Sequence, residues 1–340
     1  MNKTKAGKRP QKRILSRRTN TLWRLGAFLV LCLIVFGRGC IYRPKSNYTG
    51  AHFNKGSNAA WLGAEWVNQP HLADEVMALA MDLAERQITT VYVYASYYKP
   101  EGVFSPTYAY AEEFVATLKG FAPDLVVQAW VGLPLDTMNL NSRATRHEVV
   151  DFCATLVQDA GFDGLHVDPE PVWDGDTSVL TLLDELREAL DSEAILSIAG
   201  RRIWPIFPTM KWPLVGQWSW RTSYYQKLAQ RVDEIAVMVY DSAMPTSGLY
   251  RYWTKFQIIA LSRALVYSDV RLFIGIPTSE EITPTQKPGA ENMRNGLRGT
   301  VDGLNDWATW ADVVTGVAIY PYWETDAREW EIYQSLWLGE

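Results

Sequence analysis

Cysteine is nearly missing from this chain: there are three among 340 residues. Cys32 and Cys40 lie in or beside one apolar run and Cys153 lies in a helical pattern, so no disulfide framework can be drawn. Cys153 is read as a small core residue, set on a helix and away from any strand end where a nucleophile would be placed. Histidine occurs only at positions 52, 71, 147 and 166, without the spacing of a metal site, and His166 with Asp168 supplies too few ligands for zinc. Also missing are a Gly-x-Gly-x-x-Gly or Walker loop behind the first strand pattern and a Gly-x-Ser-x-Gly elbow. These absences argue against nucleotide-phosphate binding and elbow-serine chemistry, and nothing calls for a metal or a cofactor.

Long apolar runs are scarce too, with one exception, Leu25 to Phe36, which follows a stretch without acids. The first 24 residues carry nine of the 33 Lys and Arg, leaving 24 bases against 38 acids, a net charge of −14 for the rest. A body so acidic repels a phosphate backbone, so nucleic acid is not an expected partner. The basic flank and apolar run read instead as an export element. On this reading residues 1–24 are a cytoplasmic arm, 25–42 a hydrophobic membrane anchor or signal segment, and 43–58 a polar linker. Residues 59–340 then form an extracytoplasmic domain. A cleaved signal, giving a secreted or Cys40-lipidated protein, is the alternative. Oligomeric state is not legible.

From Trp61 onward short apolar runs alternate with longer amphipathic ones, the pattern of parallel strands joined by helices. Strands are expected at 61–66, 90–95, 125–131, 164–168, 195–199, 234–240, 271–276 and 316–320. Helices are expected at 73–87, 110–119, 146–160, 179–191, 224–232, 252–267, 297–311 and 327–336. Eight such units over this length predict an α/β fold, a (β/α)8 TIM barrel, with a doubly wound sheet as the runner-up.

In a barrel the chemistry belongs at the carboxyl ends of the strands. The fourth expected strand reads Gly164-Leu165-His166-Val167-Asp168-Pro169-Glu170. Strand alternation puts His166, Asp168 and Glu170 on one face, with Leu165 and Val167 on the other. Carboxyls at two such positions are about 7 Å apart along the backbone, close enough to hinder joint ionisation and leave one of them a proton to donate. A general acid of that kind is what glycosidic cleavage needs. The plainer alternative is that these acids end a strand or cap the next helix. Polar inward positions in an otherwise apolar strand, followed by Pro171 and Trp173, weigh against it.

This stretch resembles the Asp-Gly-x-Asp-x-Asp-x-Glu signature of family 18 glycoside hydrolases, the chitinase-like enzymes, with His166 at the first position of the final triplet. Met238-Val239-Tyr240-Asp241 is similar to the family's Met-x-Tyr-Asp on strand six. Ile274-Gly275-Ile276-Pro277 and Gly316-Val317-Ala318-Ile319-Tyr320 are similar to its strands seven and eight, with Tyr320 where Trp is usual. The resemblance implies Glu170 as proton donor, Asp168 orienting a 2-acetamido group that attacks the anomeric carbon, and Tyr240 donating its hydroxyl to that group. It further implies Asp241 near the sugar and Tyr320 as its floor, acting on a carbohydrate built from N-acetylhexosamine. Departures at His166, Tyr320 and Gln128-Ala129-Trp130-Val131-Gly132 leave two alternatives open: a barrel that only binds carbohydrate, or a glycosidase for plain sugars using Glu65 or Asp241 as a second carboxylate.

Tryptophan and tyrosine are abundant, at 15 and 17 residues. Near expected strand ends, Tyr94, Trp130, Trp173, Trp323 and Glu65 are candidate sugar contacts, together with His166. Trp204, Trp212, Trp218 and Trp220 stand in a long loop after strand five and either stack on sugars or pack on one another. Trp253, Trp307, Trp310, Trp330 and Trp337 are expected to pack helices against the barrel. Arg201 and Arg202 are expected to pair with local acids rather than bind an acidic sugar.

Overall fold

The structure, a computed structural model, describes residues 49–204 and 219–340. Eight parallel strands close into one barrel in chain order: β1 Asn58–Leu62, β2 Ile88–Tyr97, β3 Val126–Pro134, β4 Gly164–Glu170, β5 Ile195–Arg201, β6 Glu234–Met238, β7 Arg271–Pro277 and β8 Val314–Tyr320. The closing pair joins β1 to β8 through Ala59↔Ala318 and Ala60↔Ile319. This is the expected (β/α)8 TIM barrel.

Period-two patterning explains the layering. Val91, Val93, Leu165, Val167, Leu196, Ile198, Ile235, Val237, Ile274 and Val317 point outward into the main core, where the helices cover them. The alternate positions fill the barrel itself: Ala59, Trp61, Tyr92, Trp130, Ala236, Phe273 and Ala318 form a separate buried cluster, with Tyr94 and Tyr320 packed on it. Small residues opposite large rings let this layer fill without a pore. The covering helices run over Ala73–Glu85, Ala111–Phe121, Arg143–Ala160, Thr177–Ala189, Thr222–Leu228, Ser247–Leu265, Met293–Leu304 and Ala327–Tyr333. Side chains of Ser142, Asp176, Thr246, Asn292 and Asp326 cap five of them by accepting from exposed first-turn amides.

The first strand begins earlier than the hydrophobic pattern indicates, at Asn58 rather than Trp61. Asn58 is fully buried, and its side chain is consumed in closing the base of the barrel. Its Oδ1 accepts from Trp337 Nε1 at 2.8 Å and Val317 N at 3.2 Å, while Nδ2 donates to the Gln87 carbonyl at 3.1 Å. Part of the expected linker therefore belongs to the barrel. Gly50 donates to the Leu336 carbonyl, Phe53 packs on the core, and Lys55 Nζ reaches the carbonyls of Asp312 and Val314.

Among the described residues no helix is long and apolar enough to cross a membrane. The arm at 1–24 and the anchor or signal segment at 25–42 lie outside the described residues, as do Trp212 and Trp218. Cys153 is buried and unpaired, as a core residue should be.

Candidate active site

The β4 face expected from alternation is brought to the barrel mouth at its carboxyl end. Asp168 pairs in register with Gly132 of β3, and Glu170 with Pro134. Oδ2 of Asp168 accepts from Trp130 Nε1 at 3.2 Å, while its Oδ1 is buried without a hydrogen bond. Desolvation, reinforced by the charge of Glu170, pushes the Asp168 carboxyl up to about 8 against the opposing pull of the Trp130 bond and Arg201. Burial therefore favours its neutral form. Glu170 is the more open of the two, with its side chain 42% exposed, and its Oε1 is held by Arg201 Nη2 at 2.6 Å. Arg201 ends β5, on the inward side of the neighbouring strand, so the expected pairing with a local acid occurs at the central carboxylate itself.

Tyr240 and Asp241 come from just beyond β6, which ends at Met238 rather than continuing to Tyr240. The chain turns there through a left-handed conformation, with φ 53° at Asp241 and 59° at Ala243. For residues with a Cβ such backbone costs about 1–3 kcal/mol each and persists only where neighbours hold it. Arg202 Nη1 donates to the Tyr240 carbonyl at 3.2 Å, and the Tyr240 ring lies against Gly275 of β7. A Cβ at Gly275 would fall 2.8 Å from Tyr240 Cε1, so glycine is required for this close approach. The Tyr240 ring is stacked parallel to Tyr320 with centroids 5.2 Å apart.

Tyr320 is the hub of an aromatic wall. Trp61, Trp130 and Trp323 present edges to it at 5.7, 6.3 and 6.0 Å, and Tyr94 meets Trp130 at 4.6 Å. Trp323 is 45% exposed and Trp173, beyond β4, is 50% exposed, so both offer ring surface to solvent. Burial raises the Tyr94 hydroxyl to about 12, and burial with nearby carboxylates raises those of Tyr240 and Tyr320, so all three remain hydrogen-bond donors at neutral pH.

His166 does not reach the mouth. It is fully buried, one inward position deeper than Asp168, and both ring nitrogens are engaged. Nε2 accepts from Trp61 Nε1 at 3.2 Å, which leaves Nδ1 as the donor to Ser197 Oγ at 2.7 Å, and Tyr92 stacks on the ring at 3.9 Å. Desolvation lowers its pKa to about 3, so it is neutral across the working range. The expected sugar contact is thus a structural link. The chain of bonds continues from Ser197 to Gln128 Oε1 and from Gln128 to buried Glu234, which also receives Tyr92 and Arg271.

Other expected residues divide. Glu65 lies on a one-turn helix after β1, and its carboxylate folds over the Gly63 backbone. Trp220 is buried, with Nε1 donating to the Val172 carbonyl at 3.1 Å and its ring edge on Tyr224, so it packs the loop rather than facing solvent. Trp204 is half-buried. Trp253, Trp330 and Trp337 pack as expected, whereas Trp307 and Trp310 are exposed, because the helix meant to bury them stops at Leu304. Among the described residues no group of three or more His, Cys, Asp and Glu could hold a metal ion. Sequence reading missed the Ser197, Gln128 and Glu234 network and Glu291, whose buried carboxylate accepts from Ser242 below the Tyr240 turn.

The chain is similar in fold to the spore cortex-lytic enzyme SleL of Bacillus cereus, at 11% identity and a TM-score of 0.55, covering 87% of this chain and 76% of that one. It is likewise similar to a class V chitinase from Pseudomonas fluorescens Pf-5, at 15% identity and a TM-score of 0.55, covering 82% and 98%. A third is a class V chitinase mutant from Cycas revoluta in complex with (GlcNAc)3, at 16% identity and a TM-score of 0.53, covering 82% and 99%. No curated protein matches. The family model for glycosyl hydrolases family 18 matches residues 81–334, which span β4, the β6 turn, β7 and β8. By that match over most of its length, the chain belongs to glycosyl hydrolases family 18.

Proposed function

We propose that this protein is a retaining glycosidase acting on β-linked N-acetylhexosamine in a polysaccharide or glycan, by the substrate-assisted route. The single observation that carries the reading is the pair Asp168 and Glu170 at the open end of β4, beneath the wall of Tyr240, Tyr320 and Trp130. The carbohydrate in the Cycas revoluta complex adds support for the substrate class.

In this mechanism Glu170 gives its proton to the glycosidic oxygen as the acetamido oxygen attacks the anomeric carbon and the leaving sugar departs. The acetamido N–H is held by Asp168 and its oxygen by the Tyr240 hydroxyl. Water then opens the cyclic intermediate from the same face, returning a proton to Glu170 and retaining configuration. A carboxyl that donates a proton cannot at the same moment be the anionic partner of Arg201, so the ion pair must open as Glu170 is loaded. Asp168, whose neutral form is favoured by burial, is the neighbouring proton store. Asp241, Tyr94, Trp173 and Trp323 are proposed sugar contacts.

Hydrolysis of N-acetylglucosamine oligomers with strong inhibition by a thiazoline analogue is the expected result. Binding without any hydrolysis would favour a carbohydrate-binding barrel. Cleavage of 2-hydroxy sugars without thiazoline inhibition would assign a second carboxylate as nucleophile. We also propose that residues 25–42 tether the barrel outside the cytoplasm; release of the full chain from membranes by carbonate washing would count against that.

A further inference from the structure

The loop between β7 and the helix Met293–Leu304 reaches back beneath the turn that carries Tyr240 and Asp241. Its last acid, Glu291, is fully buried. Oε1 accepts from Ser242 N at 3.0 Å and from Ser242 Oγ at 2.5 Å, and the Asp241 amide also faces the carboxylate. Helix capping does not account for Glu291, because Asn292 already caps the following helix by accepting from Asn295 N. The same loop grips the turn at a second place, where Ala243 N donates to the Thr285 carbonyl at 2.7 Å and Thr285 Oγ1 donates to Asp241 Oδ1 at 3.4 Å.

Asp241 and Ala243, on either side of Ser242, are the two residues of this turn with left-handed backbone. A strained turn of this kind keeps its shape only when the surroundings over-determine it. A buried acceptor holds amide and hydroxyl donors firmly because no water competes for them, whether its oxygen belongs to a carboxyl or an amide. We infer that Glu291 is a positioning residue of the active site: by clasping Ser242 it fixes the turn 240–243 and so places the Tyr240 hydroxyl where the reacting acetamido group needs it. Glu291 acts through Tyr240 and touches no substrate. The inference rests on the function proposed above for Tyr240.

The test uses the full chain and N-acetylglucosamine oligomers. Glu291→Leu removes the acceptor, and kcat should fall by about tenfold or more with KM changed less than about threefold. Glu291→Gln keeps the carbonyl oxygen at the Oε1 position, and Oε2 makes no hydrogen bond that an amide would forfeit, so this variant should retain most of the turnover. In a Tyr240→Phe background Glu291→Leu should cost less than about twofold more, because its effect runs through that hydroxyl. Additive losses, or full activity in Glu291→Leu, would overturn the inference. Should Glu291→Leu fail to fold, Ser242→Ala removes one of the donors and should lower kcat about threefold. Amide exchange over 240–244 provides an arm independent of turnover: protection should drop about tenfold in Glu291→Leu and hold in Glu291→Gln. Unchanged protection contradicts the clasp even if the protein proves to cleave no N-acetylated glycan, a result that would refute the proposed function alone.

Discussion

At the residue scale, Asp168 combines a buried unpaired oxygen, a single bond from Trp130 and a charged neighbour, an environment that favours its neutral form. Its carboxyl is protonated in the folded protein up to about 8, whereas in the unfolded chain it ionises near the ordinary value of about 4. Folding therefore retains a proton that the unfolded chain has released between those limits, and the stability contributed by the raised pKa is complete at low pH and lost as pH rises through about 8. Asp168→Asn should be close to neutral for stability at pH about 4 and increasingly stabilising toward pH about 8, while turnover collapses. Melting temperatures of the two proteins across that range check the sign; a constant difference would contradict it. In the wild type, activity that uses neutral Asp168 should fall as pH passes about 8.

The carboxylate pair was legible because alternation alone places 166, 168 and 170 on one face. Depth along that face was not. His166 shares the direction of Asp168 but is packed between the Trp61 and Tyr92 rings, where a side chain is sealed from solvent. Whether an inward residue lies at the mouth or in the packed interior depends on barrel register, which is set by other strands.

At the element scale, the strands were readable wherever outward β-branched residues alternate with inward small or aromatic ones. Reading failed where a polar residue has a long-range structural use. Asn58 looks like linker until Trp337 and Val317 arrive from the far end of the chain to bond it. Glu291 looks like loop surface until the β6 turn packs on it. The C-terminal helix Ala327–Tyr333 shows the converse, since its start is written locally: Asp326 accepts from Glu329 N at 2.7 Å and Glu329 reaches back to Asp326 N. This helix brings Tyr333 to the Arg86 carbonyl and Trp330 beneath the Arg86 guanidinium, tying the end of the chain to the first crossover. Asp326→Ala should cost about 1 kcal/mol of stability, read as a lower denaturation midpoint at unchanged slope, with turnover preserved. A change in activity without one in stability would mean the cap serves the site instead.

At the scale of the whole molecule, the surplus of rings resolves by position. Trp61, Tyr92 and Trp130 fill the barrel, Trp337 bonds Asn58 at its base, Trp330 packs the last helix under Arg86, and Tyr320 with Trp323 and Trp173 line the mouth. A closed barrel with a packed interior places its exposed chemistry at one rim, and there an acidic pair, an arginine and a tyrosine hydroxyl converge from β4, β5 and β6. The proposed function has this rim cleave a glycosidic bond by proton donation from Glu170. Glu170→Gln isolates that step, because the amide keeps the shape of the side chain but has no acidic proton to give. Turnover of an N-acetylglucosamine oligomer by that variant should fall by about a thousandfold or more while the oligomer still binds within about threefold of the wild-type affinity. Hydrolysis at the wild-type rate would exclude Glu170 as the proton donor.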